Sequence, residues 1–176
     1  FEQMLVSGEL ADTLRMTRWV QGWPFADRSR LAILGFSLGG LLASCADARM
    51  DAFRAMVLLA PTTVENLNRF ARKKDGGGRV LLGPHELHAR FFEDLSEHDP
   101  VIDVVHRSRP TLVVQGTADT AVEPSVSGCY VETMQRAGVP VTYHLIDGAD
   151  HAFTKAQVRQ ELIDTVNDWL ERQLRY

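Results

Sequence analysis

The sequence predicts an α/β domain in which a parallel sheet is flanked by helices. Two observations carry that prediction. Short apolar runs suited to buried strands alternate with longer segments whose apolar residues recur at helical spacing. One of these runs, in "RLAILGFSLGG" from Arg30 to Gly40, stops at a lone serine, Ser37, bracketed by Gly35, Gly39 and Gly40.

Taken in order, Glu9–Val20 sets Leu10, Leu14, Thr17 or Arg18, and then Trp19 and Val20 near the helical period, so an amphipathic helix is expected, ended by "GWPF". Leu31–Phe36 is apolar, short and bounded by turn residues, as expected of a strand covered on both faces. After Ser37, "LGGLLASCADA" is small and apolar and suits a helix packed closely on a sheet. Ala55–Ala60 predicts a second buried strand, stopped by Pro61. The alternation resumes at Thr111, with "TLVVQG" a strand, Ser125–Ala137 a helix and "VTYHLI" a strand. A final helix spans Gln157–Leu174 and carries Leu162, Ile163, Val166, Trp169 and Leu170 on its apolar face. Residues 61–109 interrupt this order with a flexible "KKDGGGR" and a segment in which Leu87, Phe91 and Leu95, spaced i, i+4 and i+8, predict a short helix.

At 176 residues, 45% apolar and 24% charged, the chain can bury one core. A net charge of -4 offers no basic face for phosphates, which excludes nucleic acid as the expected partner. No apolar run approaches the roughly 18 residues needed to span a bilayer, so no membrane segment is expected. Cys45 and Cys129 are too few and too distant for a disulfide framework; both are expected as reduced, buried thiols, which fits a cytoplasmic setting.

Glycine two residues before Ser37 and two after gives G-x-S-x-G between a predicted strand and a predicted helix, the setting of a nucleophile elbow. The turn is expected to be tight enough that a side chain at Gly35 or Gly39 would collide with neighbouring backbone, and Ser37 itself should be strained. Its hydroxyl would then project at the top of the sheet, with the following helix aimed at it and the Leu38 N–H available to a developing oxyanion. A serine hydroxyl needs a base, and the base an orienting acid. Residues just past the carboxyl ends of parallel strands converge on one edge, and two loops meet that condition. "TADTAVEP" follows one strand and contains Asp119; "DGADHAF" follows another and contains His151.

Among six histidines only His151 both follows a strand and precedes the last helix. His144 lies within a strand, and His85, His88, His98 and His106 lie in or beside 61–109. "HELH" offers two histidines three apart without a further ligand, too little for a metal site. Asp119 has rivals. Glu123 stands further from its strand end, and Asp147 and Asp150 sit too close in sequence to His151 to reach its ring easily from the far side. The structural alternative for Asp119 is a turn aspartate capping its own loop.

The stretches "FEQMLVSGELAD", "GFSLGG", "VLLAP", "GTADTAVEP" and "IDGADHAF" resemble the α/β-hydrolase superfamily, and within it the bacterial cinnamoyl and feruloyl esterase-like serine hydrolases. The resemblance implies a three-layer α/β-hydrolase core from residues 1–60 and 110–176. It makes 61–109 a lid insertion following the strand after the nucleophile helix. In that family several strands precede the first helix, and a loop after the third, often beginning HG, gives a second oxyanion N–H. This sequence has no such loop, so the resemblance implies the carboxyl-terminal two thirds of a larger hydrolase. The Leu31–Phe36 strand is then expected as an exposed edge through which the isolated protein associates, as a homo-oligomer or with another chain.

The expected chemistry is that of a serine carboxylic ester hydrolase, with aryl or cinnamoyl-type esters implied by the resemblance. Ser37 would attack the carbonyl, His151 would move the proton, Asp119 would hold the imidazole, and the Leu38 N–H would bind the oxyanion. No cofactor or metal is implied, and the partner is a small-molecule ester. Leu81, Leu82, Leu87, Phe91 and Phe92 are candidates for an apolar roof over the substrate, with core packing as their alternative. Acylglycerol lipase, thioesterase and serine peptidase chemistry remain open on the same apparatus, and a non-catalytic binding domain is the alternative of a different class.

Overall fold

The computed structural model describes residues 4–73, 79–82 and 85–175. Helix α1 (Val6–Gln21) turns Val6, Leu10 and Thr17 inward, and a 3-10 turn at Arg28–Arg30, capped by Asp27, leads into β1 (Ala32–Phe36). Helix α2 (Leu38–Arg49) follows with Ser37 as the only link, and β2 (Ala55–Leu59) comes next. Then come α3 (Val64–Phe70), β3 (Ala71–Lys73), β4 (Arg79–Leu82), β5 (His85–His88), α4 (Ala89–Leu95) and α5 (Pro100–Asp103). The regular alternation returns with β6 (Thr111–Gly116), α6 (Pro124–Arg136), β7 (Val141–Ile146) and α7 (Ala156–Leu174).

Four strands form a parallel sheet in the order β1-β2-β6-β7. A strand covered on both faces reads as an unbroken apolar run, and β2 is such a strand, buried at every position. Its residues alternate between two cores. Ala55, Val57 and Leu59 join Val158, Val166 and Trp169 of α7 on one face. Met56 and Leu58 join Ala43 of α2 and Tyr130, Val131 and Met134 of α6 on the other. The sheet is thus held between two helical layers, and all its carboxyl ends face one rim.

Strand β1 has the apolar run of a doubly covered strand but lies at the edge of the sheet. Among the described residues it pairs only with β2, and Leu34 is 50% exposed and Phe36 41%. Beside it, a groove of about 460 Å³ runs between α1 and β1, lined by Met16, Val20, Ile33, Leu34 and Phe53; neither Ser37, Asp119 nor His151 borders it.

The 61–109 segment holds more structure than a single helix. Strands β3, β4 and β5 form a small antiparallel sheet, with Val80 opposite Leu87. Leu87 therefore lies on a strand, and the helix begins only at Ala89, where the His88 ring accepts from the Arg90 N–H at 3.2 Å and caps it. Strand pairing at Leu87 does not change which face it takes. Leu87, Phe91 and Leu95 all enter one core cluster with Val6, Leu10, Leu41 and Cys45, and Phe92 packs against that cluster. Leu87 and Phe91 are thus buried beneath α1 and α2, so the roof assigned to them is corrected to core packing. The side chain of Leu82 and most of "KKDGGGR" lie outside the described residues.

A second correction concerns the thiols. Cys45 is buried, and burial beside Asp103 pushes it up to about 12, whereas Cys129 is exposed on α6. At the rim opposite the strand carboxyl ends, Asp47, 1% exposed, ties α2 to the start of β6. Its carboxylate accepts from Arg109 Nε at 2.5 Å, and the same guanidinium donates to the Phe53 carbonyl and to Asp51.

Candidate active site

Ser37 occupies the single residue between β1 and α2 with φ 54° and ψ -116°, a conformation that side-chain-bearing residues avoid. Backbone bonds hold it there. The Ser37 N–H donates to the Leu59 carbonyl at 2.9 Å, and the Ser37 carbonyl accepts from Gly40 at 2.9 Å and from Thr62 at 3.3 Å. The elbow is therefore anchored to the end of β2 as well as to its own helix.

The glycines around it have unequal duties. A Cβ built on Gly35 would lie 2.0 Å from the Gly39 carbonyl oxygen, and one on Gly40 would lie 2.8 Å from Pro61 Cβ. A Cβ on Gly39 meets nothing within 4 Å among the described residues. The expectation that Gly39 is needed for space is corrected: Gly35, pressed against the backbone of Gly39 and Gly40, and Gly40, pressed against Pro61, are the positions without room for a side chain.

His151 arrives from the loop after β7 and Asp119 from the loop after β6, and both converge on Ser37. His151 Nε2 lies 3.0 Å from Ser37 Oγ, and Nδ1 lies 2.8 Å from Asp119 Oδ2. A carboxylate only accepts, so Nδ1 carries the proton and donates to Asp119, leaving the Nε2 lone pair to accept from the Ser37 hydroxyl. Asp119 is 3% exposed and every lone-pair direction is used. Oδ1 accepts from the N–H groups of Ala121 at 2.9 Å and Val122 at 2.8 Å, and Oδ2 accepts from Gln115 Nε2 at 3.0 Å besides His151. One oxygen of Asp119 caps its own loop and the other faces the histidine.

The rivals are engaged elsewhere. Glu123 pairs with Arg69 at 3.0 Å, Asp147 accepts from Thr117 Oγ1, and Asp150 caps Thr154, which holds its carboxyl below the usual carboxylate range. His144 faces Glu161 across the outer surface at 3.1 Å, and His98 bonds Ser7 Oγ. Leu38 is the first residue of α2, so its N–H is one of the donors without an acceptor inside the helix.

Sequence reasoning passed over several side chains around this chain of contacts. Gln115, fully buried, donates to Asp119 and to the Val122 carbonyl and so braces the acid loop. A polar residue near the end of an otherwise apolar strand was the signal for it. Asn66 of α3 donates to the Ala121 carbonyl at 3.1 Å, and Arg69 reaches Glu123, so 61–109 touches the acid loop directly. Phe36, just before the serine, lies against the His151 ring with centroids 4.9 Å apart.

No curated protein matches the sequence. Among solved structures, the esterase domain of a Rhodothermus marinus protein is 18% identical, with a TM-score of 0.76 over 93% of this chain and 68% of that one. Est1E from Butyrivibrio proteoclasticus, with ferulic acid bound, is 18% identical with a TM-score of 0.84, over 98% of this chain and 70% of its own. A puromycin-hydrolyzing peptidase of Mycobacterium tuberculosis is 22% identical with a TM-score of 0.73, over 95% of this chain but only 25% of that one. These likenesses fix the α/β-hydrolase fold. The sequence itself matches the prolyl oligopeptidase family over residues 2–176, and the chain belongs to that serine hydrolase family.

Proposed function

We propose that the protein hydrolyses carboxylic esters by transferring the acyl group first to Ser37 and then to water. The observation that carries this reading is the hydrogen-bonded sequence Ser37, His151, Asp119, with links of 3.0 and 2.8 Å. In the first half-reaction Ser37 Oγ bonds to the carbonyl carbon while its proton passes to His151 Nε2. The imidazolium so formed is balanced by the Asp119 carboxylate, which stays ionised. The carbonyl oxygen, now negative, is met by the Leu38 N–H at the amino end of α2. Collapse expels the alcohol, protonated by Nε2, and the same steps with water in place of the alcohol release the acid. The 61–109 segment, tied to the acid loop by Asn66 and Arg69, forms a wall beside the site in this reading.

The ester assignment draws on the motif resemblance and on the likeness to an esterase domain and to a protein holding ferulic acid. A second reading, peptide hydrolysis, is favoured by membership of the prolyl oligopeptidase family. The two share the acyl-Ser37 intermediate and differ in the leaving group that His151 must protonate. Matched aryl esters and anilides carrying one acyl group separate them. Ester turnover that disappears in Ser37→Ala, with anilide turnover at least a hundredfold slower in kcat/KM, is the expected result. Anilide turnover equal to that of the ester selects the peptidase reading, and hydrolysis of both that survives Ser37→Ala removes the proposal.

A further inference from the structure

The structure assigns a role to Phe36: we propose that it is a positioning residue that holds the plane of the His151 imidazole for proton transfer. The inference rests on the reading of Ser37, His151 and Asp119 as a proton-transfer chain.

The imidazole is bonded at both nitrogens, to Ser37 and to Asp119. Those two bonds and the covalent link at Cγ together set the ring plane, and the motion that tilts the Nε2 lone pair off the hydroxyl is rotation of the ring about Cβ–Cγ. A surface against the ring face adds resistance to that rotation beyond what the two bonds supply. Phe36 supplies one: its centroid lies 4.9 Å from that of His151 with the planes 35° apart. Phe36 is itself placed by chain geometry, because it is the last residue of β1 and abuts the strained Ser37. It is propped from behind by Phe153, 6.4 Å away between centroids, which is 3% exposed and sits in the α7-side core with φ 51°. Strain at a buried aromatic residue two positions after His151 persists only where surrounding contacts over-determine it. The phenyl face also carries the negative end of the ring quadrupole, which favours the imidazolium that forms as Ser37 attacks.

With 41% of its surface open, Phe36 is not explained by core packing alone. An aliphatic side chain of similar volume would fill the same space against Phe153 but would offer no flat face. A misplaced group can cost about a hundredfold in rate, and a ring that only tilts about Cβ–Cγ should cost less, roughly tenfold.

The test compares Phe36→Leu, Phe36→Met and Phe36→Tyr with the parent chain, using aryl-ester kinetics and the proton resonance of His151 Nδ1–H. The expected result is a kcat lowered about tenfold in the Leu and Met variants with KM within twofold, and restoration of most of the rate in the Tyr variant. The Nδ1–H resonance, visible in the parent and in Phe36→Tyr, should exchange with solvent at least fivefold faster in Phe36→Leu or Phe36→Met. An unchanged exchange rate in a folded Leu or Met variant, or a Tyr variant as slow as the Leu variant, overturns the proposal. The exchange measurement needs no turnover, so it judges Phe36 even where the hydrolase reading fails, and that reading is judged separately by Ser37→Ala.

Discussion

The two motif glycines flanking Ser37 should respond oppositely to a single methyl group. At Gly35 an added Cβ would stand 2.0 Å from the Gly39 carbonyl oxygen, 2.4 Å from its carbon and 2.7 Å from the Gly40 nitrogen. All three are backbone atoms of the first turn of α2, so none can rotate away. Ordinary carbon–oxygen contact lies more than an ångström further out, and restoring it means moving the start of α2 off the end of β1. Overpacking of a closed site costs about 1–3 kcal/mol and more where backbone must shift, so at least about 3 kcal/mol is expected for Gly35→Ala. For a chain of this length that lowers Tm by roughly 6–12 °C. Gly39 lies in the helix, with no atom of the described residues beyond the helix's own backbone within 4 Å of an added Cβ and without the positive φ that would demand glycine. Replacing a helical glycine by alanine removes backbone entropy from the unfolded chain and gains about 0.5–1 kcal/mol, a Tm rise of roughly 1–4 °C. Thermal unfolding by circular dichroism, with ester turnover measured alongside, reads both. A Gly35→Ala variant as stable as the parent, or a Gly39→Ala variant that loses stability, would refute the account of the elbow.

Asp119→Asn should lower kcat about 10⁴-fold with little change in fold, since the Ala121 and Val122 N–H groups hold the amide oxygen and turn its NH₂ toward His151, forcing the wrong tautomer. A loss under tenfold in steady-state kinetics would contradict that reasoning. Iodoacetamide should modify Cys129 in the native protein and Cys45 only after unfolding, because burial keeps the latter a thiol; mass mapping of a native Cys45 adduct would argue against the packing described. Burial also pushes Asp47 up to about 6 against the pull of Arg109, from 3.8 in a free chain. The folded state then binds a proton that the unfolded state has released, so this contribution is fully present below about pH 4 and is lost as pH rises through about 6. It amounts to roughly 2–3 kcal/mol. Urea midpoints at pH 4.5 and 6.5 should differ more in the parent than in Asp47→Asn, and an equal change in both would dismiss it.

Much of the site was legible because its three side chains obey one rule of parallel sheets: each leaves the carboxyl end of a strand, and those ends share a rim. Ser37 after β1, Asp119 after β6 and His151 after β7 could be set on one rim by strand order once the G-x-S-x-G turn and the residue types of the two loops had picked them out. Distance in space was not legible. Gln115 and Phe36 stand at the ends of strands and touch loops that arrive from elsewhere in the chain, and no periodicity in "TLVVQG" or "LAILGF" announces which neighbour each will meet. The 61–109 segment misled for a different reason. An i, i+4, i+8 stripe is consistent with a helix, yet Leu87 reaches the same core from a strand because the β4–β5 pairing turns it to that face. Gly39 misled because a motif glycine invites a steric explanation, and the space around it is open. Cys129 was expected inside by the habits of its residue type, but its position on α6 faces water.

The central claim is that the Ser37 hydroxyl, and no other, is the nucleophile activated by His151 and Asp119. Treating the protein with a fluorophosphonate and mapping the adduct by peptide mass spectrometry tests it most directly. The account predicts a single adduct on the peptide containing Ser37, absent in Ser37→Ala and slowed at least a hundredfold in His151→Ala. An adduct on any other residue, or labelling of Ser37 that proceeds as fast without His151, would contradict it.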